Sequence, residues 1–508
     1  MSLTRADRLA LLLSLIAVLA AYIVADRVFE QMPHLEDEIA YAWQADAIAG
    51  GRLTMPSPPD PHSFLVPFVV DLDGQRFGKY PLGWPVLLAV GVIFGVRSLV
   101  NPLLAGLTVW LTYRLGKRVF GETVGLLAAL LTLTSPFFLM NSGSLLAHPL
   151  GLVLSTAFAL TWLNAWDDST EYPWLATLTS ALCLGGLAIA RPYTALGVSL
   201  PFVFHGIYVW VRASWGKRRR LLAFVAVVLA LASVHFMWQF AVTGSPWTNP
   251  YTLWWEYDRV GFGPGYGRLE QGHSLTQARV NTKHSLFVGW HDLFGWGRYS
   301  WIFIPFGLLA ILRHRRWAGF LLASVFPSLV IIYLAYWIGS SLFGPRYFYE
   351  GLYSLTLLSG AGIAFLAGWP TSPDESWRKY SGWRRARPLS VTALVVLLLS
   401  ANLFFYTPIR LGGMHGLYGI SRARLDPFLT PQAQEFTPAL VIVHADRWTE
   451  YGALLELQDP FLDTPFLFVI SRGQRPDSNL AAVFSERSII HYYPDEPDIF
   501  YTAPRPNE

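Results

Sequence analysis

The stretch Leu9–Phe29, LALLLSLIAVLAAYIVADRVF, is followed shortly by Glu36–Gly51, EDEIAYAWQADAIAGG, and an apolar run running into an acidic helix start decides the fold. The run is longer than the ~7–15-residue core of a secretory signal, and Arg5 and Arg8 precede it. It reads as an uncleaved membrane span with its N-terminus inside. The whole chain of 508 residues agrees: 53% are hydrophobic, 15% aromatic and only 14% charged, a composition of the membrane class. The net charge of +4 marks no nucleic-acid partner, because the basic residues stand in short clusters between apolar runs. A single cysteine, Cys183, lies in an apolar run, which excludes an intramolecular disulfide and a cysteine-rich zinc site.

Further windows of the length needed to span recur near 98–118, 122–142, 145–166, 174–191, 195–212, 220–242, 297–312, 317–339, 346–368 and 389–407, giving about eleven spans. The basic clusters test this series independently. Counted from an inside N-terminus, inside loops hold Arg114, Lys117 and Arg118; Arg212, Lys217, Arg218, Arg219 and Arg220; Arg313, Arg315 and Arg316; and Arg378, Lys379, Arg384, Arg385 and Arg387, as the positive-inside rule asks. The loop after Trp166, with Asp167, Asp168 and Glu171, is the exception. Pro81–Val96 is too short to cross and would reverse every later loop, so it is laid on the membrane surface as an interfacial helix.

The expected product is an all-α polytopic protein of the plasma membrane, N-terminus cytoplasmic. Its transmembrane part is 1–410, with extracytoplasmic loops at 30–97 and 243–300. The tail, 411–508, changes composition. β-type runs at Leu440–His444, Phe466–Ser471 and Ser488–Tyr493 and a helical pattern around Trp448–Leu457 predict a small extracytoplasmic α/β domain packed against the outer loops.

Candidate chemistry gathers on the outer side. Glu36–Ala49 suits a short helix stopped by Gly50 and Gly51. At about 100° per residue Asp37, Tyr41 and Gln44 share one face, while Ile39, Trp43 and Ala47 form an apolar side. Its acids also serve as helix N-terminal caps. Lys79 precedes a Pro/Gly/aromatic segment, and Arg191 and Arg346 stand at outer ends of spans, where the topology rule disfavours cations. Each alone is equally a headgroup anchor. Together they suit a phosphate, whose oxygens a guanidinium fork binds in pairs. His148 sits at an outer junction of two spans, where a lone histidine is most often structural. The Gly261–Gly267 run lacks the Gly-Lys-Ser/Thr ending of a phosphate loop. His273, His284 and His291 lack the spacing of a metal site.

An acidic pair after the first span, a Lys-Tyr-Pro-x-Gly segment and an alternating series of spans resemble the GT-C superfamily of membrane glycosyltransferases, closest to its protein O-mannosyltransferase and lipid A aminoarabinose transferase branch. Asp37-Glu38 with Tyr41 matches that branch's Asp-Glu-x-x-Tyr pattern, Lys79-Tyr80-Pro81 its Lys/Tyr-Pro-Pro segment, and Arg346-Tyr347 the Arg-Tyr opening a late span. The resemblance implies a donor sugar on a polyprenyl phosphate and an acceptor hydroxyl. Asp37 and Glu38 become the catalytic carboxylates, Asp37 as general base. Tyr41, Lys79, Tyr80, His148, Arg191, Arg346 and Tyr347 become substrate-binding residues, with membrane lipid around them. The chain departs from the branch at His148, where an acidic residue before proline is usual. A second Asp-x-Asp-type motif, as in the oligosaccharyltransferase branch, is missing, which argues against a metal, and no cofactor is expected. The competing class is a transporter or flippase of lipid-linked or soluble solutes. It calls for ionisable residues mid-span, and the spans are nearly free of them.

Overall fold

The computed structural model describes residues 3–377 and 386–505; Arg378, Lys379, Arg384 and Arg385 of the last basic loop lie outside the described residues. The first window folds as helix α1 (Arg5–Arg27), and its buried face is made of small residues, Ala10, Ser14, Ala17 and Ala21. Those spacings stack the residues on one face, and small side chains let a neighbouring backbone approach, as membrane helices require. The neighbour is α4 (Val100–Phe120), where a Cβ on Gly106 would stand 2.9 Å from the Ser14 carbonyl oxygen. Leu12, Leu15 and Leu19 face outward.

Every window of the series overlaps a helix, although the 317–339 window loses its last six residues, which follow the helix ending at Tyr333. Among the described residues, six helical segments are long and apolar enough to cross a membrane: Arg5–Arg27, Pro173–Ala190, Pro192–Arg212, Trp215–Thr243, Arg346–Ala367 and Ala386–Leu429. Glu122–Leu133 and Pro136–Gly143 form a pair bent by 59°. Here Ser135 caps the second helix, with Pro136 in its first turn, where the missing N–H costs nothing. The chain is a multi-pass membrane protein. Pro81–Val96 yields α3 (Gly83–Ile93), 11 residues, only about 16 Å at 1.5 Å per residue. The acidic loop after Trp166 is neutralised in space, since Asp167 pairs with Arg118, and Asp168 with Lys217 at 2.6 Å.

Two small sheets stand outside the helical bundle. The tail forms the order β5-β4-β6-β7: β4 (Ala439–Val443) pairs in parallel with β5 (Phe466–Ile470) and β6 (Ser488–Tyr492), and β7 (Phe500–Tyr501) is antiparallel to β6. The three long strands lie where the β-type runs were read. The tail packs against the 30–97 loop, with Phe64 in one cluster with Leu440 and Ile442, and Ile470 N–H donating to the Ser63 carbonyl. The second sheet, order β1-β3-β2 with β1 at Met55–Pro56, falls in that same loop, which the sequence reading left without strands. β2 (Val69–Leu72) and β3 (Gln75–Gly78) form a hairpin through Asp73 and Gly74, both with positive φ (51° and 76°), the Asp-Gly turn that matches strand twist. The hairpin carries the chain directly to Lys79 and Tyr80.

Candidate active site

Three segments distant in sequence meet at one end of the bundle. The first is α2 (Glu36–Ala49). Its apolar face, Ile39, Trp43 and Ala47, packs on Met55, Val66 and Val69 of the first loop, and so turns Asp37 and Tyr41 the other way. The second is the hairpin exit. Gln44 Nε2 donates to the Tyr80 carbonyl at 3.0 Å, and a Cβ on Gly78 would stand 2.3 Å from the Gln44 side chain. At Gly83 a Cβ would stand 2.5 Å from the Cα of Ala190. That close approach seats the exit against the end of α8 (Pro173–Ala190), the residue before Arg191. The third is the 3-10 turn Arg346–Gly351, entered through Gly344 at φ 70°.

They enclose a cavity of about 350 Å³ lined by Asp37, Tyr41, Lys79, Tyr80, His148, Arg191, Arg346 and Tyr347. All the residues singled out in the sequence for substrate therefore come together. Asp37 Oδ1 accepts a hydrogen bond from the Tyr80 hydroxyl at 2.6 Å, and Oδ2 one from Arg346 Nη2 at 3.4 Å. Burial pushes the Asp37 carboxyl up, but Arg346, the Tyr80 hydroxyl and Lys79 outweigh it and hold it below the usual carboxylate value. Lys79 Nζ lies 3.4 Å from Asp258 Oδ2 and 3.6 Å from the ring centre of Phe68, with Tyr251 and Trp255 also around it. Its burial lowers its pKa, against Asp258 and Asp37. Rings that face an ammonium in this way stabilise the charge electrostatically.

Glu38 points elsewhere. It is not among the cavity-lining residues; its Oε2 accepts from the backbone N–H of His34 and Leu35 at 2.8 and 3.0 Å, and Oε1 from that of Leu145 at 2.7 Å. Burial pushes it up to about 7, against those three amides. This carboxylate, expected beside Asp37 in catalysis, ties the start of α2 to the loop before α7 (His148–Ala165).

Several lining residues were not among those singled out in the sequence for substrate. Glu36 faces the cavity with no hydrogen bond or ion pair among the described residues, and burial together with Asp37 raises its pKa. Arg268, from the glycine-rich loop, lies 5.1 Å over Trp255 and 5.6 Å over Trp337. Asp258 also accepts from Tyr336 and Trp337 at 3.0 Å each. Tyr193, Tyr251, Tyr333 and Tyr336 complete the wall. Two guanidinium ends remain uncommitted. Arg346 Nη1 is buried without a partner, and no described residue accepts from Arg191 Nη1. The buried Arg346 Nη1 in particular suits an anion, since an unmet buried donor costs about 1–3 kcal/mol. Among the described residues, no three His, Cys, Asp or Glu side chains gather as a metal site.

Residues 86–238 match the profile of the dolichyl-phosphate-mannose-protein mannosyltransferase family. The fold is that of the GT-C membrane glycosyltransferases. Among solved structures the chain is similar to ArnT from Cupriavidus metallidurans bound to undecaprenyl phosphate, with 14% identity and a TM-score of 0.59 over 94% of this chain and 89% of that one. It is also similar to the Archaeoglobus fulgidus oligosaccharyltransferase tethered with an acceptor peptide, with 13% identity and a TM-score of 0.52 over 90% of this chain and 60% of that one. No curated protein matches by sequence.

Proposed function

We propose that this chain transfers a sugar from a polyprenyl-phosphate donor to an acceptor hydroxyl at the extracytoplasmic face, with inversion at the anomeric carbon. The observation that carries this reading is the meeting of Asp37 with Lys79, Arg191, Arg268 and Arg346 around one cavity. The similar ArnT structure, whose partner is undecaprenyl phosphate, supports the donor class. Basic clusters at the opposite ends of the helices support an orientation with the cavity and tail outside.

The acceptor oxygen attacks the anomeric carbon as the bond to the phosphate oxygen breaks, and the bonding pair leaves on the phosphate. That leaving group departs as an anion and needs no proton, so one base and several cations suffice. Asp37 takes the acceptor's proton. Arg191 and Arg346, each with an uncommitted Nη1, face the phosphate with Lys79. When the phosphate engages Arg346, the cation that holds Asp37 down is partly neutralised, and the carboxylate becomes a stronger base as the donor arrives. Glu38 is a positioning residue here, acting through the backbone it holds.

The test uses the purified full-length protein in vesicles with a labelled polyprenyl-phosphate sugar and hydroxyl acceptors. Transfer with release of polyprenyl phosphate and an inverted anomer is the expected result. Movement of intact donor across the bilayer without cleavage would establish the transporter class instead.

A further inference from the structure

His148 stands where the resembled branch usually carries an acid, and the fold brings a carboxylate to that spot from another part of the chain. Glu350, the fifth residue of the turn that begins at Arg346, is 0% exposed. Its Oε1 lies 2.8 Å from Arg191 Nε and 3.5 Å from His148 Nδ1. Neither Glu350 oxygen has a hydrogen bond among the described residues, and His148 Nδ1 has none either. Room for the carboxylate is made by Gly151, one turn into α7, where a Cβ would stand 2.5 Å from Oε1.

A sealed ion pair of this kind is a poor device for stability alone, because well-packed apolar residues do as well or better. What it supplies is a fixed direction for the guanidinium. Arg191 Nε also donates to Thr194 Oγ1 at 3.2 Å, and Nη2 to the Tyr333 hydroxyl at 3.4 Å. The Thr194 and Tyr333 hydroxyls are 2.7 Å apart. Nε and Nη2 are thus held by protein, and Nη1 is the end left for the cavity.

We infer that Glu350 is a positioning residue: as the fixed counter-ion of Arg191, it aims the free Nη1 of that arginine at the anion in the cavity and holds His148 at the cavity wall. This rests on the transferase reading only for the identity of the anion as the leaving phosphate. Because Glu350 acts through Arg191, its effect exists only while the arginine is present.

A double-mutant cycle tests this. Glu350→Gln keeps the shape and removes the charge, and it is expected to lower kcat about 10–100-fold while the donor KM moves less than about threefold. In the Arg191→Ala background the same change should cost less than about twofold further. Equal losses in both backgrounds would overturn the inference. Gly151→Ala covers the case in which Glu350→Gln fails to fold: its Cβ would press on the Glu350 side chain at Oε1, Cγ and Cδ, displacing the carboxylate without changing any charge, and should lower kcat in the same direction. Wild-type kcat with Gly151→Ala would again overturn it. If the wild-type protein transfers no sugar, the function reading fails by itself. The coupling is then read from the binding of polyprenyl phosphate across the same four proteins, where non-additivity sustains the positioning role and additivity removes it.

Discussion

Two carboxylate–guanidinium pairs flank the cavity, and their surroundings differ. Asp37 and Arg346 approach to 3.4 Å with side chains 25% and 17% exposed. Glu350 and Arg191 approach to 2.8 Å with Glu350 sealed. The first pair is loose and reachable, so a ligand can come between its members. The second has no such opening, and breaking it strands a buried charge. On the proposed reading, one kind of ion pair serves chemistry at one wall and geometry at the other.

The contrast is broken most strongly at Asp37. Asp37→Asn keeps the shape and removes the base, and transfer should fall about 10²–10⁴-fold, well beyond the effect of Glu350→Gln. Arg346→Ala comes next, with a loss of about 100-fold from the missing cation. It also carries a pH signature. The native Asp37 is held below the usual carboxylate value largely by Arg346, so the base is ionised well into the acid range. Without the arginine, the acid limb of kcat/KM should move to higher pH, and an unmoved limb would show that Asp37 is not the titrating group.

Glu38→Ala sharpens a second contrast, between neighbours in sequence. It strands the amides of His34, Leu35 and Leu145 at roughly 1–3 kcal/mol each. Thermal unfolding in detergent should shift down while the folded fraction keeps a near-native donor KM. A folded but inactive variant would give Glu38 a chemical part after all. The smallest effect is expected at the hairpin. Gly74→Ala meets no neighbour, yet forces a side chain into φ 76°, a cost of about 1 kcal/mol that the same melting assay reads.

The difference between the two pairs also explains what was legible beforehand. Asp37 could be found because α2 is an amphipathic helix whose apolar side, Ile39 and Trp43, fixes where the other side faces. Arg191 and Arg346 stood out as cations at span ends where topology disfavours them. Glu350 was in plain view one turn beyond Arg346, but nothing local says that it reaches Arg191, at the break between two helices, and His148, at the start of another. Asp258 is likewise joined to Lys79 only by folding, 179 positions away. The first-loop hairpin was readable from Asp73-Gly74 between Val69-Val70 and Phe77, and was passed over in a segment taken for loop. Glu38 misled because it stands beside Asp37, although a helix turns adjacent residues about 100° apart.

The central claim is that Asp37 performs chemistry in a cavity whose cations bind the lipid phosphate. The most direct measurement compares Asp37→Asn with the native protein in the same vesicles, titrating polyprenyl phosphate and then following sugar transfer. Binding within a few-fold of native with transfer reduced at least about 100-fold is the predicted result. Native turnover by the variant, or equal loss of binding and transfer in a folded protein, would contradict it.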